Sequence, residues 1–282
     1  NKAPIANLPL QKVRPTHIEA YYAKAAVSAA TLTLHHAILH RALRKAVRDK
    51  LLVVNPAIDL EGKPRKSQNE AREHAWTATE ARAFLDAAKD AGPQAHAFYT
   101  LALDTGMRKA ELCGLGWDDV DMGGGRVRVV RQLTTPALTT EGQLQFGPTK
   151  TGKMRTITIG AEVGALLTEH RRVQREQKMA HRDAYVDLGL VFCRENGLPL
   201  LMNNLGQREY AMLIKAAKVR AIKFHGLRHT CATLLLQAGQ PVHVVAERLG
   251  HSKVSITMEV YAHVLPDMQE EAATVMGGLL HR

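Results

Sequence analysis

Cysteine is scarce: Cys113, Cys193 and Cys231 are the three in a chain of 282 residues. They lie far apart with no Cys-x-x-Cys pair, which argues against a disulfide framework and a zinc ribbon and fits a reducing cytoplasm. Long apolar runs are lacking too. No stretch approaches the roughly 18 to 20 apolar residues that span a bilayer, so no membrane partner is expected. No signal peptide is visible, and the chain opens on Asn1 without a methionine, which reads as a fragment lacking its natural start. Acidic residues are in short supply: 27 Asp and Glu stand against 38 Lys and Arg, a formal charge of +11. Such a balance points to a polyanionic partner, nucleic acid being the commonest, although charge alone fits a merely basic soluble protein equally well. Internal repeats and low-complexity tracts are absent. What remains, 45% hydrophobic and 23% charged residues, is globular composition, with length for one large domain or two ordinary ones.

After a proline-bearing, aperiodic start over residues 1–14, Pro15-Thr16 predicts a helix running to about residue 30, with Ile18, Tyr21 or Tyr22, and Ala25 on one face. A second helix is expected over about 31–50. Leu32, Leu39, Leu43, Ala46 and Val47 fall on its apolar side, while His36, His40, Arg41, Arg44, Lys45 and Arg48 crowd the rest. That basic face can track phosphates in a groove; a solvated surface is the plainer alternative. Asn55-Pro56 stops helical structure, and the polar run at 61–69, with Lys63, Arg65 and Lys66, reads as a linker and adds candidate DNA contacts. The division expected is a small helical domain over 1–62, a linker over 63–72 and a larger domain over 73–282.

The larger domain opens on a capping run, Thr-Ala-Thr-Glu ending at Glu80, ahead of a helix. Another helix spans about 94–104, and Gly106 breaks it before Met107-Arg108. Alternation over 126–131 predicts a strand; pieces at 144–146 and 154–159 add a hairpin around Pro148-Thr-Lys-Thr-Gly-Lys153. Helices follow at about 161–178, 202–218, 226–238, 241–249 and 253–263, with a short apolar piece at 190–193 and a last segment at 267–280. The fold class expected is mainly α with a small antiparallel sheet (α+β).

Chemistry concentrates in residues 225–261. His225 and Arg228 form a His-x-x-Arg pair, Leu249-Gly250-His251 follows, and Tyr261 stands ten residues later. Upstream, Thr105-Gly-Met-Arg108-Lys-Ala-Glu111 offers a further guanidinium. Guanidiniums and imidazoles beside a phenol suit a phosphodiester, because the phenol attacks phosphorus while the cations neutralise charge growing on its oxygens. A phenol of pKa about 10 needs nearby cations to react at neutral pH, and as phenolate it also leaves readily, so the broken bond is recoverable without ATP. Each residue has a plainer reading: Tyr261 as packing, Arg108 as a surface partner of Glu111. Metal is set aside. His36 and His40, at i, i+4, have no acidic or cysteine ligand beside them; His225 and His229 lack the glutamate of a zinc protease, Gly226 standing there; and no carboxylate cluster is present to hold magnesium. No cofactor is expected.

Taken in order, Arg108 with Glu111, His225-Gly-Leu-Arg228-His-Thr, Leu249-Gly250-His251 and Tyr261 resemble the active-site signature of the tyrosine recombinases, the phage-type integrases. The resemblance covers most of the chain. It implies that Tyr261 is the nucleophile, that Arg108 and Arg228 hold the non-bridging oxygens, and that Glu111 orients the site. It assigns Lys150, in preference to its neighbour Lys153, as the acid protonating the departing 5′ oxygen. The small first domain resembles the family's core-binding domain, shorter by one helix at its start. Double-stranded recombination-site DNA, a homotetramer docked through the segment after Tyr261, and in some systems a DNA-bending accessory protein are the implied partners, in a bacterial cytoplasm beside the nucleoid. A nicking-closing enzyme of the type IB topoisomerase kind and a catalytically silent DNA-binding relative are the competing readings.

Overall fold

A computed structural model describes residues 4–60, 75–135, 137, 138, 140, 141, 143–149, 152–201, 208–261 and 268–280. Cα packing divides the chain into two units, Asn1–Glu70 and Ala71–Arg282.

In the first unit Pro15 begins α1 (Pro15–Lys24), a position where its missing N–H costs nothing. The helix expected to run to residue 30 stops at Lys24. Ser28 intervenes, its hydroxyl accepting from the Thr31 amide at 3.2 Å and capping a new helix, α2 (Ala29–Arg48). Ile18 and Tyr22, four apart on α1, pack with Leu43 and Ala57, flanked by Leu10, Val13, Leu32 and Leu39. His36 departs from expectation: it lies buried in this core, not on the basic face. The physical reason is Tyr22, whose buried hydroxyl hydrogen-bonds His36 Nδ1 at 3.0 Å, so the imidazole satisfies a polar group the core encloses. Tyr21 makes the equivalent bond to His35 Nδ1 at 2.7 Å.

The second unit is organised around Trp76, Phe84, Phe98, Tyr99, Leu101, Leu112 and Phe192, all essentially inaccessible. Trp76 is tied across the sequence by its amide to Thr230 Oγ1 (2.9 Å) and by its indole N–H to the Arg220 carbonyl (2.7 Å). Thr77 and Glu80 form a reciprocal capping box that starts α3 (Ala78–Asp90). Next come α4 (Pro93–Thr105), buried on most of its faces, and the short α5 (Lys109–Cys113).

The strand expected over 126–131 is interrupted at Val130. Strands β1 (Val120–Asp121), β2 (Arg126–Val129), β3 (Arg131–Thr135), β4 (Gln145–Pro148) and β5 (Arg155–Thr158) form two antiparallel sheets, β1-β2-β5 and β3-β4. Val127 faces Ile157 in one, and Leu133 faces Phe146 in the other. The expected hairpin is therefore corrected: β4 pairs with β3 and β5 with β2, so residues 149–154 join two ladders instead of turning one strand back on its neighbour. Thr149 is buried, and its hydroxyl donates to the Lys153 carbonyl at 2.7 Å.

Helices complete the unit: α6 (Ala161–His181), α7 (Tyr210–Ala217), α8 (His225–Gln237), α9 (Val242–Leu249), α10 (Val254–Tyr261) and α11 (Met268–Leu280). The apolar piece at 190–193 is buried and bridges to Gly116 and Pro199. A smaller cluster, Cys231, Ala232, Leu236, Val245 and Leu249, packs α8 against α9. Among the described residues no helix is long and apolar enough to cross a membrane.

Candidate active site

Gly106 closes α4 in the left-handed region at φ +62°, the conformation that ends a helix abruptly and that glycine adopts without penalty. The chain then places Arg108 at the head of α5. There the Arg108 amide donates to Glu111 Oε2 (2.9 Å) and its guanidinium to Oε1 (2.8 Å). Glu111 is 1% exposed and takes a second guanidinium, that of Arg155 on β5, with Nη2 to Oε2 at 2.8 Å and Nη1 to Oε1 at 3.3 Å. Burial raises the Glu111 pKa, but the bonds and charges of Arg155 and then Arg108 outweigh it and hold the carboxyl below its ordinary value. Both oxygens are thus engaged, and Arg108 is oriented rather than removed from use.

Arg228 comes from the first turns of α8. It is 3% exposed, and its Nη1 donates to the Gly106 carbonyl at 2.8 Å, which sets it beside the turn that carries Arg108. His225 and His229, one turn apart, pack ring edge to ring face with centroids 5.0 Å apart. Another left-handed glycine, Gly250 at φ +69°, ends α9 and delivers His251. The His251 amide returns to the Ala246 carbonyl at 2.9 Å, and Nδ1 meets Thr257 Oγ1 at 2.7 Å. Thr257 is fully buried on α10, one helical turn before Tyr261, which closes that helix. Lys150, Lys63, Arg65 and Lys66 lie outside the described residues, as does the side chain of Tyr261.

Burial and the surrounding charges both bear on His251. Burial pushes the His251 pKa down to about 4, helped in turn by Arg228, Arg108, His229 and Arg155. His251 is therefore neutral at pH 7. Unfolded, the imidazole titrates near 6.5. Between the two values the unfolded chain binds more protons, so the stability His251 contributes is present above about pH 6.5 and lost as pH falls from there through about 4. A His251→Gln protein should lose less unfolding free energy than the parent across that window in denaturant titrations. Parallel curves would contradict the assignment.

A cleft of about 860 Å³ opens beside His251, lined among others by Arg128, Lys153, Arg155, His243 and Gly250. Sequence reasoning missed Arg155, which sits on a strand where arginine normally faces solvent, and Thr257. It also missed Arg248, whose guanidinium bonds the Asp104 carbonyl (3.0 Å), Asp104 Oδ2 (2.8 Å) and the Thr158 carbonyl (3.0 Å). Arg248 thereby fastens the end of α9 to α4 and β5. On α2, Arg41, Arg44, Lys45 and Arg48 are exposed beside Leu34 and Ile38, with Lys45 paired to Asp49. His40 is half-buried, and its carbonyl accepts from Asn55 at 3.2 Å.

Arg128, Arg155, His243 and His251 line one cleft, Arg155 shares Glu111 with Arg108, and Tyr261 closes the adjoining helix, an arrangement whose chemistry suits a phosphate. The profile of the phage integrase family matches residues 75–268, and the chain belongs to that family, the tyrosine recombinases, enzymes of site-specific DNA recombination. It is 31% identical over 283 residues to a XerC-like tyrosine recombinase of Caldanaerobacter subterraneus, covering 95% of this chain and 71% of that one. An integrase of Streptomyces ambofaciens is 31% identical over 264 residues, covering 91% and 66%. This chain thus spans about two thirds of these relatives' length. The fold is shared with the integrase of the Tn1549 transposon in complex with a circular intermediate DNA, at a TM-score of 0.76 and 20% identity over 94% of this chain and 86% of that one.

Proposed function

We propose that this chain cuts and rejoins double-stranded DNA at a recombination site through Tyr261. The phenolate oxygen attacks phosphorus, a new P–O bond forms, and the bond to the 5′ oxygen breaks. The products are a 3′-phosphotyrosine and a 5′-hydroxyl, whose proton comes from Lys150. Arg108 and Arg228 bind the two non-bridging oxygens with planar donors that match phosphate. His251, whose Nδ1 is hydrogen-bonded with the Thr257 hydroxyl, donates from Nε2 to a phosphate oxygen, and His225 exchanges the tyrosine's proton. A 5′-hydroxyl from a second DNA then attacks the phosphotyrosine in the reverse sense.

The observation that carries this reading is geometric: Arg108 and Arg155 share the buried Glu111, Arg228 is held on the Gly106 carbonyl beside the turn that carries Arg108, and Arg155 reaches the Arg248 carbonyl just before His251. Guanidiniums gathered in this way attract an anion. In the same reading residues 1–62 form a core-binding domain, 63–72 a linker and 73–282 the catalytic domain. His40, Arg41, Arg44, Lys45 and Arg48, with Lys63, Arg65 and Lys66, supply phosphate contacts. Four protomers hold two sites on DNA, aided in some systems by a DNA-bending protein, in the host cytoplasm beside the nucleoid. Exposed Met276, Leu279 and Leu280 on α11 give the segment after Tyr261 an apolar surface to dock on a neighbouring copy.

Covalent capture tests the chemistry. The protein and a Tyr261→Phe variant are incubated with fragmented DNA from the source genome, quenched in SDS, and the attached DNA is sequenced. The expected result is an adduct through the DNA 3′ end in the parent and none in the variant, which still binds DNA. Retained binding with no adduct from either protein would overturn the nucleophile assignment.

A further inference from the structure

Two groups of residues meet in this site from distant parts of the sequence. Arg108 and Glu111 come from the turn after α4, whereas His251 follows α9. Arg155 reaches Glu111 in the first and the end of α9, just before His251, in the second. Its Nη1 and Nη2 hold the two oxygens of Glu111, and its Nε donates to the Arg248 carbonyl at 3.0 Å, in the last turn of α9. It also runs directly beneath Gly250: a Cβ there would lie 2.9 Å from both Cδ and Nη1 of Arg155. The Arg155 side chain is 6% exposed, and its Glu111 partner is wholly enclosed.

We infer that Arg155 is a positioning residue for strand cleavage, a buried strut that fixes the Arg108–Glu111 pair relative to the Leu249–Gly250–His251 corner. The geometry requires arginine. One planar fork satisfies a carboxylate bidentately while its remaining N–H reaches a carbonyl on another element, and lysine has a single nitrogen for both tasks. Gly250 is bound to the same arrangement, because its left-handed backbone and missing Cβ let the guanidinium pass. Arg155 never needs to meet the phosphate. It acts through Glu111 on the aim of Arg108, and through the α9 carbonyl on the place of His251.

This inference rests on the cleavage reading above, so the experiment uses DNA carrying the site recovered by covalent capture and measures single-turnover adduct formation alongside DNA affinity. Arg155→Gln is expected to slow adduct formation by about a hundredfold, the scale of an ångström of misplacement, while DNA affinity changes little. Arg155→Lys recovers part of that loss. In a double-mutant cycle, Arg155→Gln combined with Glu111→Gln is expected to be no slower than the slower single variant, because both break one unit. Where Arg155→Gln does not fold, Arg155→Lys keeps a cation beside Glu111, leaves the Arg108–Glu111 pair in place and carries the test. It should unfold cooperatively and still cleave slowly.

A folded variant lacking Arg155 that cleaves at the parental rate would overturn the inference, as would effects that simply multiply in the cycle. An ordinary structural role predicts that any variant folded at the assay temperature reacts at full speed. If the parent protein itself gives no adduct, the cleavage reading fails and this inference falls with it. If the parent reacts and the variants match it, only the inference falls.

Discussion

Arg228→Ala is expected to slow formation of the covalent DNA adduct by about a thousandfold or more, with DNA affinity far less affected. Removing one preorganised donor from an oxyanion site costs 10²–10³ in rate, and a guanidinium offers charge as well as hydrogen bonds. The position sharpens the expectation. Arg228 is 3% exposed and is aligned by the Gly106 carbonyl, so no neighbouring side chain can swing in from solvent to replace it. The buried carbonyl loses a charged donor in the variant, a loss of about 1.5–3 kcal/mol in stability. Arg228→Lys keeps the charge without the fork and should recover only part of the rate. Because Arg228 follows burial as a cause of the low His251 pKa, the alanine variant should also titrate His251 at higher pH, which NMR of the free protein can follow. Near-parental cleavage, or an unmoved His251, would remove Arg228 from the site.

The second large effect concerns a residue with no functional group. Gly106→Ala is expected to destabilise the second unit by about 2–5 kcal/mol, combining the left-handed backbone penalty with overpacking. The φ of +62° disfavours any side chain, and the new Cβ would lie 2.4 Å from Leu249 Cδ2 and 3.4 Å from Cys231 Sγ. Leu249 is fully enclosed and cannot retreat. The strain would fall on Arg108, two residues on, on the carbonyl that aligns Arg228, and on the leucine before Gly250 and His251. Cleavage should therefore fall more steeply than stability alone implies when measured well below the melting temperature. Denaturant unfolding beside single-turnover cleavage checks both. Equal stability with equal rate would mean that the turn tolerates a side chain.

Much of this was legible in the sequence, and what was not has physical causes. Gly106 and Gly250 stand where a helix must end abruptly, and the helix carrying Arg228 and the helix that ends just before His251 follow from local periodicity. The strand over 126–131 alternates without a visible break; its division at Val130 is decided by the return chain, where residues 149–154 separate the two partners. Arg155 was hidden for a related reason. Arginine on an alternating strand reads as a solvent-facing residue, and the carboxylate that buries it stands 44 positions earlier. His36 was placed on the basic face because only the packing of α1 against α2 brings it the Tyr22 hydroxyl.

The neutral state of His251 has a consequence for how the protein meets its substrate. Burial and neighbouring cations keep the proton off the free enzyme, and a phosphodiester seated among those cations cancels much of their field. The imidazole then becomes a better base, and association draws protons from solution. Heats of DNA binding measured by calorimetry near pH 6 should accordingly vary with the ionisation enthalpy of the buffer, and the affinity should rise as the solution is acidified. The substrate would then set the charge of the site that receives it.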